Sequence, residues 1–265
     1  MIIALFTIAI LPLPPDVVRQ QFPQQNDRRY SSCNGRLFAG RCRAVKNGVR
    51  ADVAEIIGAY EYFAEDSARF WEALVRHLML SGVALGVAMA IALPLGIIIS
   101  RRVNLAQWVI AAFGSLRLIP SLAVLFLALP YLRLGVRPAL FALTLLALPP
   151  ILINTYAGIR NVEPATVEAA RGVGMSNSQL LRRIELPLAL PSILTGIRIA
   201  AVEVIASATL ASFINGGGLG NFVQIGFALN ETSIMLVGAV PVALLALAAD
   251  TLVGQLQRWA ALPTV

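Results

Sequence analysis

From about residue 77 onward the chain is a succession of long apolar runs separated by short polar breaks that carry arginine. A bilayer core of roughly 30 Å takes about 20 helical residues to cross. Runs of that length fall near residues 78–99, 107–131, 138–159, 190–214 and 233–257. With no water available, a spanning segment must satisfy its own backbone, so each run is predicted as an α-helix. The second is over-long and holds Arg117 and Pro120, which predicts a tilted or broken span. The pattern predicts an all-α polytopic membrane protein with about five core transmembrane helices.

Upstream the pattern changes. "MIIALFTIAILPLPP" has an apolar run of about 13 residues before its prolines, short for a span. It reads as a signal-like apolar segment, an extra short span, or a misplaced start. "YEYFAEDSARFWEALVRHL", residues 60 to 78, has the pattern of an amphipathic helix lying at the interface, its Tyr and Trp at headgroup level. His77, the single histidine, then reads as an interfacial residue. Residues 1–69 are accordingly read as a tail and 70–260 as the transmembrane domain. Cys33 and Cys42 lie in the tail, either paired in a small disulfide loop or present as free thiols.

Composition agrees with the pattern. Of 265 residues, 58% are hydrophobic and 13% charged, with mean hydropathy +0.76. A soluble domain is nearer half apolar and a quarter charged. The net charge of +7 does not point to nucleic acid, because basic residues flank membrane spans on the cytoplasmic side. Arg101 and Arg102 follow the first span, while Arg160, Arg171, Arg182 and Arg183 follow the third. An even number of spans separates the two clusters, so they share a face, which is cytoplasmic. The C-terminus is then inside and the residues before the first span outside. The stretch from Arg28 to Arg50, with seven basic and no acidic residues, pulls the other way. The agreement of the two downstream clusters sets the orientation.

Chemistry within the chain is sparse. A phosphate-cradling P-loop ends in Gly-Lys-Ser/Thr, and the sole lysine, Lys46, follows Val45. "NGGGLG" at 215–220 follows an apolar helix with no preceding strand and reads as a tight interhelical turn. Neither a metalloprotease motif nor zinc-ligand spacing occurs, and no cofactor is called for. Any energy source must sit on another polypeptide.

The polar segment "EAARGVGMSNSQLLRRIELPLALP", residues 168 to 191, is different in kind. Pro164 suits a first helical turn and starts a helix carrying Glu168 to Arg171. Gly172 and Gly174 permit a sharp reversal. Ser176 and Gln179 have capping-box spacing and start a second short helix through about Arg183, which Pro187 ends. Leu180, Leu181 and Ile184 form an apolar stripe flanked by arginines, suited to a groove on a partner. A passive loop has no need of paired caps.

The spacing Glu168-Ala169-Ala170, three residues, Gly174, nine residues, Ile184, one residue, Leu186-Pro187 resembles the cytoplasmic signature of permease subunits of binding-protein-dependent ABC importers. The resemblance runs over about residues 70 to 258. "IPSLAVLFLALP", "NTYAGIRNVEPATVEAARGVGM", "LPLALPSILTGIRIAAVEV" and "ATLASFINGGGLG" are similar to the osmoprotectant branch, which handles glycine betaine, choline and carnitine. The resemblance implies a multi-pass protein of the bacterial inner membrane. In it, residues 161–189 dock on a separate ABC ATPase subunit, and a periplasmic substrate-binding protein recognises the solute. It also implies pairing with a second permease copy or a paralogue, in contact with membrane lipid. An amino-acid importer is the neighbouring alternative, since the docking signature serves many substrates. A membrane-embedded enzyme using Glu203 and His77 is a third reading, and a structural anchor a fourth.

Polar residues inside the spans are the remaining candidates. Glu203 falls mid-span, where an unpaired carboxylate is expensive and faces a cavity or a partner. It lines the translocation path and attracts a quaternary ammonium group, or it pairs structurally, with Arg198 as the nearest cation in sequence. Asn154, Thr155, Ser207 and Thr209 line the path or bond across helices. Asp250 reads as interfacial or capping. Arg117 stands where an uncharged polar residue is expected before "IPSL".

The orientation is directly testable. Single cysteines at Asn177 and Asn104, in a cysteine-free background, are expected to resist impermeant thiol reagents in intact cells. Labelling of both from outside overturns the assigned topology.

Overall fold

The computed structural model describes residues 48–117 and 119–260. The chain divides into two units, Met1–Ala54 and Glu55–Val265. Of the first, only the opening of a helix is described; the second holds every other element. The apolar opening segment, Cys33 and Cys42 lie outside the described residues.

All regular elements among the described residues are helical. They run α1 (Gly48–Glu65), α2 (Ser67–Ser100), α3 (Val103–Leu116), α4 (Ser121–Leu132), α5 (Val136–Arg160), α6 (Pro164–Gly172) and α7 (Asn177–Leu180). A π turn (Leu181–Glu185), α8 (Leu186–Ser207), a 3-10 segment (Ala208–Ile214), α9 (Gly220–Leu229) and α10 (Thr232–Ala260) complete the order. Among the described residues four helices are long and apolar enough to cross a membrane, five if α3 and α4 count as one span bent by 94°. The break falls between Arg117 and Pro120, as their presence in the second apolar run leads one to expect.

The core is a layer of α2, α5 and α8, with α5 in the middle. Apolar burial does little to drive helices together in hydrocarbon, so close packing through small residues takes its place. On α2, Ala84, Ala88, Ala92 and Gly96 recur every fourth residue and are all buried. A Cβ added at Gly96 would lie 2.8 Å from the Thr155 Cβ on α5. One added at Gly196 on α8 would lie 2.6 Å from the Pro150 carbonyl and 2.7 Å from the Asn154 Cβ. Gly158 of α5 is packed just as closely on Ser192 and Ala189 of α8. These backbones approach too closely for larger side chains.

The two ends of the layer are tied across the chain. At one end Arg101, capping α2, meets Glu185 just before α8. At the other the Gly135 amide, before α5, donates to the Ile214 carbonyl at 2.9 Å. The two arginine clusters therefore share a face.

The end opposite the Arg101–Glu185 pair departs from the sequence expectation. An interfacial helix over residues 60–78 is not formed. Asp66 breaks it, its carboxylate accepting from the Arg69 amide at 3.3 Å and so starting α2. Residues 67–78 are already the first turns of the span. α1 instead packs through Tyr62 edge-on to Phe222 of α9, with the Arg69 guanidinium 5.8 Å from the centroid of the same ring. His77, expected at the interface, is fully buried, and its Nε2–H donates to the Ile205 carbonyl at 3.1 Å. The glycine turn permits this burial. Gly217 and Gly218 adopt φ of +81° and +90°, and a Cβ added at Gly218 would lie 3.2 Å from the imidazole Nδ1.

Gly196→Leu is expected to destabilise the detergent-solubilised protein by about 1–3 kcal/mol through overpacking, read as a lowered Tm. Gly114→Ala, where an added Cβ meets nothing within 4 Å, is expected to leave Tm unchanged or slightly raised.

Candidate functional site

The polar segment over residues 161–189 is built from caps. Pro164 opens α6. The helix exposes Glu168 and Ala169 and buries Ala170 against the protein. It closes with the Gly174 amide bonded to the Arg171 carbonyl at 2.9 Å and the Met175 amide to the Ala170 carbonyl at 3.2 Å. That double closure needs a left-handed residue, which Gly174 supplies at φ +81°. Gly172 remains helical, so Gly174 alone makes the reversal. Ser176 and Gln179 then form the expected capping box: the Ser176 amide donates to Gln179 Oε1 at 2.9 Å and the Gln179 amide to Ser176 Oγ at 3.3 Å.

Beyond this point two expectations are corrected. Pro187 does not end the second helix. Lacking an N–H and clashing one turn back, a proline disrupts α-helical hydrogen bonding. Here the chain widens into the π turn, with the Leu186 amide reaching the Leu181 carbonyl, and runs on into α8. The result is one helix from Asn177 to Ile214. Leu180 is not an exposed anchor, because it is completely buried within the chain. Leu181 and Ile184 are half-buried, as is Leu186, while Pro187 is exposed. The apolar side chain that does project is Val173, 76% exposed at the reversal beside Gly174. A sequence reading centred on periodic stripes passes over a lone valine in a turn.

The same kind of reading passes over Glu185. It is buried, and its carboxylate faces the Arg101 guanidinium in a two-point ion pair, Nη1 to Oε1 at 3.1 Å and Nη2 to Oε2. Such paired geometry fixes orientation as well as distance. The segment is thereby held to the C-terminal end of α2. A cleft of about 430 Å³ opens at its root, between Asn161 and Glu163 on one side and Leu188 and Pro191 on the other.

The mid-membrane charges are arranged differently from the sequence alternative. Arg198 does not serve Glu203. It forms a two-point pair with Asp250 of α10, Nε to Oδ1 at 2.5 Å and Nη2 to Oδ2 at 2.6 Å. Asp250 is thus a tie between spans and not a cap. Glu203 faces Arg117, which closes α3 at the span break, with 3.8 Å between Nη2 and Oε2. Ser207 lies four residues on, on the same face of α8, and is half-buried. The other polar candidates stay within helix packing. Thr155 is fully buried and bonds the Ile151 carbonyl at 2.7 Å. Asn154 donates to the Pro150 carbonyl at 2.8 Å and its own carbonyl accepts from Ser192. Thr209 bonds the Ala206 carbonyl at 2.7 Å within the 3-10 segment.

Comparison with known proteins is consistent across three scales. The family model described as binding-protein-dependent transport system inner membrane component matches residues 82–261. The carnitine transport permease protein OpuCB of Listeria monocytogenes is 41% identical over 196 residues, covering 74% of this chain and 90% of that protein. The choline transport system permease protein OpuBB of Bacillus subtilis (strain 168) is 40% identical over 182 residues, 69% and 84% of the two chains. In fold, the chain is similar to the inward-facing MetNI methionine ABC transporter, with TM-score 0.66 at 22% identity over 74% of this chain and 97% of that one.

Two variants probe the segment. Gly174→Asp forces a side chain into the left-handed region at a cost of roughly 1–2 kcal/mol, too little to unfold the protein. It is expected to remain in the membrane but to lose co-purification with its ATPase. Arg101→Ala, which strands the buried Glu185 carboxylate, is expected to lower Tm more than Glu185→Gln does.

Proposed function

Because the chain belongs to the family of binding-protein-dependent transport system inner membrane components, we propose that it is the permease subunit through which a quaternary ammonium osmoprotectant of the glycine betaine, choline or carnitine type crosses the inner membrane. The observation that carries the substrate class is the 41% and 40% identity to permeases named for carnitine and choline. Residues 70–260 form the permease domain and residues 161–189 the coupling segment. Glu168, Ala169, Val173 and Gly174 present the docking face to an ABC ATPase, with Leu181 and Ile184 at its margin. Leu180 and the Arg101–Glu185 pair support that face from behind.

A separate ATPase hydrolyses ATP, and an external binding protein delivers the solute. A second copy or a paralogue completes the path. Closure of the two ATPases then moves the permeases as rigid bodies between inward-open and outward-open states. Glu203 and Ser207 line the path. The carboxylate is half-exposed at membrane depth, a position that is costly against lipid and favourable toward a passing cation.

Glu203→Gln keeps size and hydrogen bonding while removing the charge. Assembly is expected to survive and uptake of glycine betaine to fall by about tenfold, the equivalent of roughly 1.4 kcal/mol. The binding protein's affinity is expected to stay the same. Unchanged uptake removes Glu203 from the path. Uptake of neither glycine betaine, choline nor carnitine by the wild-type complex overturns the substrate class.

A further inference from the structure

We propose that Arg117 and Glu203 form a single transient site in the translocation path that accepts zwitterions, a carboxylate on Arg117 and a quaternary ammonium on Glu203, and discriminates against solutes carrying only the cation. This rests on the proposed osmoprotectant function and adds to it a second, membrane-embedded selection step.

The two ion pairs on α8 supply the contrast. Arg198 and Asp250 are closed on each other at 2.5 and 2.6 Å with both oxygens engaged, a structural tie. Arg117 and Glu203 approach no closer than 3.8 Å. A charge-assisted N–H···O bond closes at about 2.7–2.9 Å, so this pair attracts without being locked. The side chains are 42% and 34% exposed, so neither charge is sealed within the chain. Bare charge is not tolerated against hydrocarbon. Whatever covers these two charges in the assembled transporter is therefore polar.

The pair also differs in what it joins. Arg117 ends α3 at the break of the second span, and Glu203 belongs to the long helix continuous with the cytoplasmic segment. A solute that separates the two charges therefore separates two elements of the path. A zwitterion can do so without leaving either uncompensated, because its carboxylate replaces Glu203 for the guanidinium and its ammonium replaces Arg117 for the carboxylate. A choline-like cation balances Glu203 and strands Arg117 in a medium of low dielectric. When the solute leaves, the pair re-forms and the site is neutral again. A transport path needs this property, since a site that binds too well does not release.

The test uses the complete complex, permease with ATPase and a binding protein that holds both solutes, reconstituted in liposomes. Turnover of glycine betaine and of choline is measured at saturating loaded binding protein, and the ratio is compared between variants. The binding protein is the same in every arm, so its own preference cancels. Arg117→Gln is expected to lower the betaine-to-choline ratio by about tenfold, and Arg117→Lys, which keeps the charge, to retain most of it. Glu203→Gln is expected to slow both solutes. Equal effects of Arg117→Gln on the two solutes, or none, overturn the proposal. Should Arg117→Gln fail to assemble, the Arg117→Gln/Glu203→Gln double variant leaves no stranded charge, and a wild-type ratio there overturns the proposal equally. A wild-type complex that moves neither solute is a different failure: it removes the substrate class, and this site with it.

Discussion

A bilayer interior offers no water, so each charge and free backbone group in the spans must find its partner within protein or open onto a polar path. That constraint arranges most of the molecule. Arg198 and Asp250 meet across two spans with two short contacts. His77 is buried on the Ile205 carbonyl, near the point where α8 tightens into the 3-10 segment. Thr155, Thr195 and Asn154 turn their polar atoms back onto carbonyls of their own helices. The Arg117–Glu203 pair stays more open than the Arg198–Asp250 pair, closing only to 3.8 Å.

The same constraint gives the fold its mechanical character. The helix from Asn177 to Ile214 is uninterrupted from the polar segment to the far side of the layer. It is tied at three heights: to α2 through Glu185 and Arg101, to α10 through Arg198 and Asp250, and to α2 again through Ile205 and His77. Between these ties its small residues let α5 lie in close contact at Gly196 and Gly158. In the proposed role, movement of the docking face is carried along a stiff element to Glu203, with no flexible joint to absorb it. The π turn at Leu181–Glu185 admits Pro187 without breaking that continuity.

At the opposite end, around α1 and α9, a different solution operates. α1, α9 and the start of α2 meet around Phe222, and the glycine turn at 215–220 lets the backbone fold onto Arg76 and His77. Gly217 and Gly218 are used here for close approach in a left-handed conformation. This resembles the left-handed use of Gly174 in the polar segment, where no neighbour crowds the turn.

Much of this was written in the chain's local pattern. Apolar run length set the spans, Arg117 and Pro120 marked the broken one, and arginine placement set which ends share a face. Pro164, Gly174 and the Ser176–Gln179 spacing specified the caps of the polar segment, because capping is decided within four residues. Tertiary structure decided whatever depends on partners distant in sequence. Arg198 lies five residues from Glu203 yet pairs with Asp250, 52 residues away, because helix crossing sets ionic partners and sequence proximity does not. Leu180 belongs to an apolar stripe, but the fold covers it and leaves Val173 to project. Glu185 sits at an unspecified position of the motif, and its significance appears only when the end of α2 brings Arg101 against it. Periodicity reports which side of a helix is apolar, and only packing determines what that side meets.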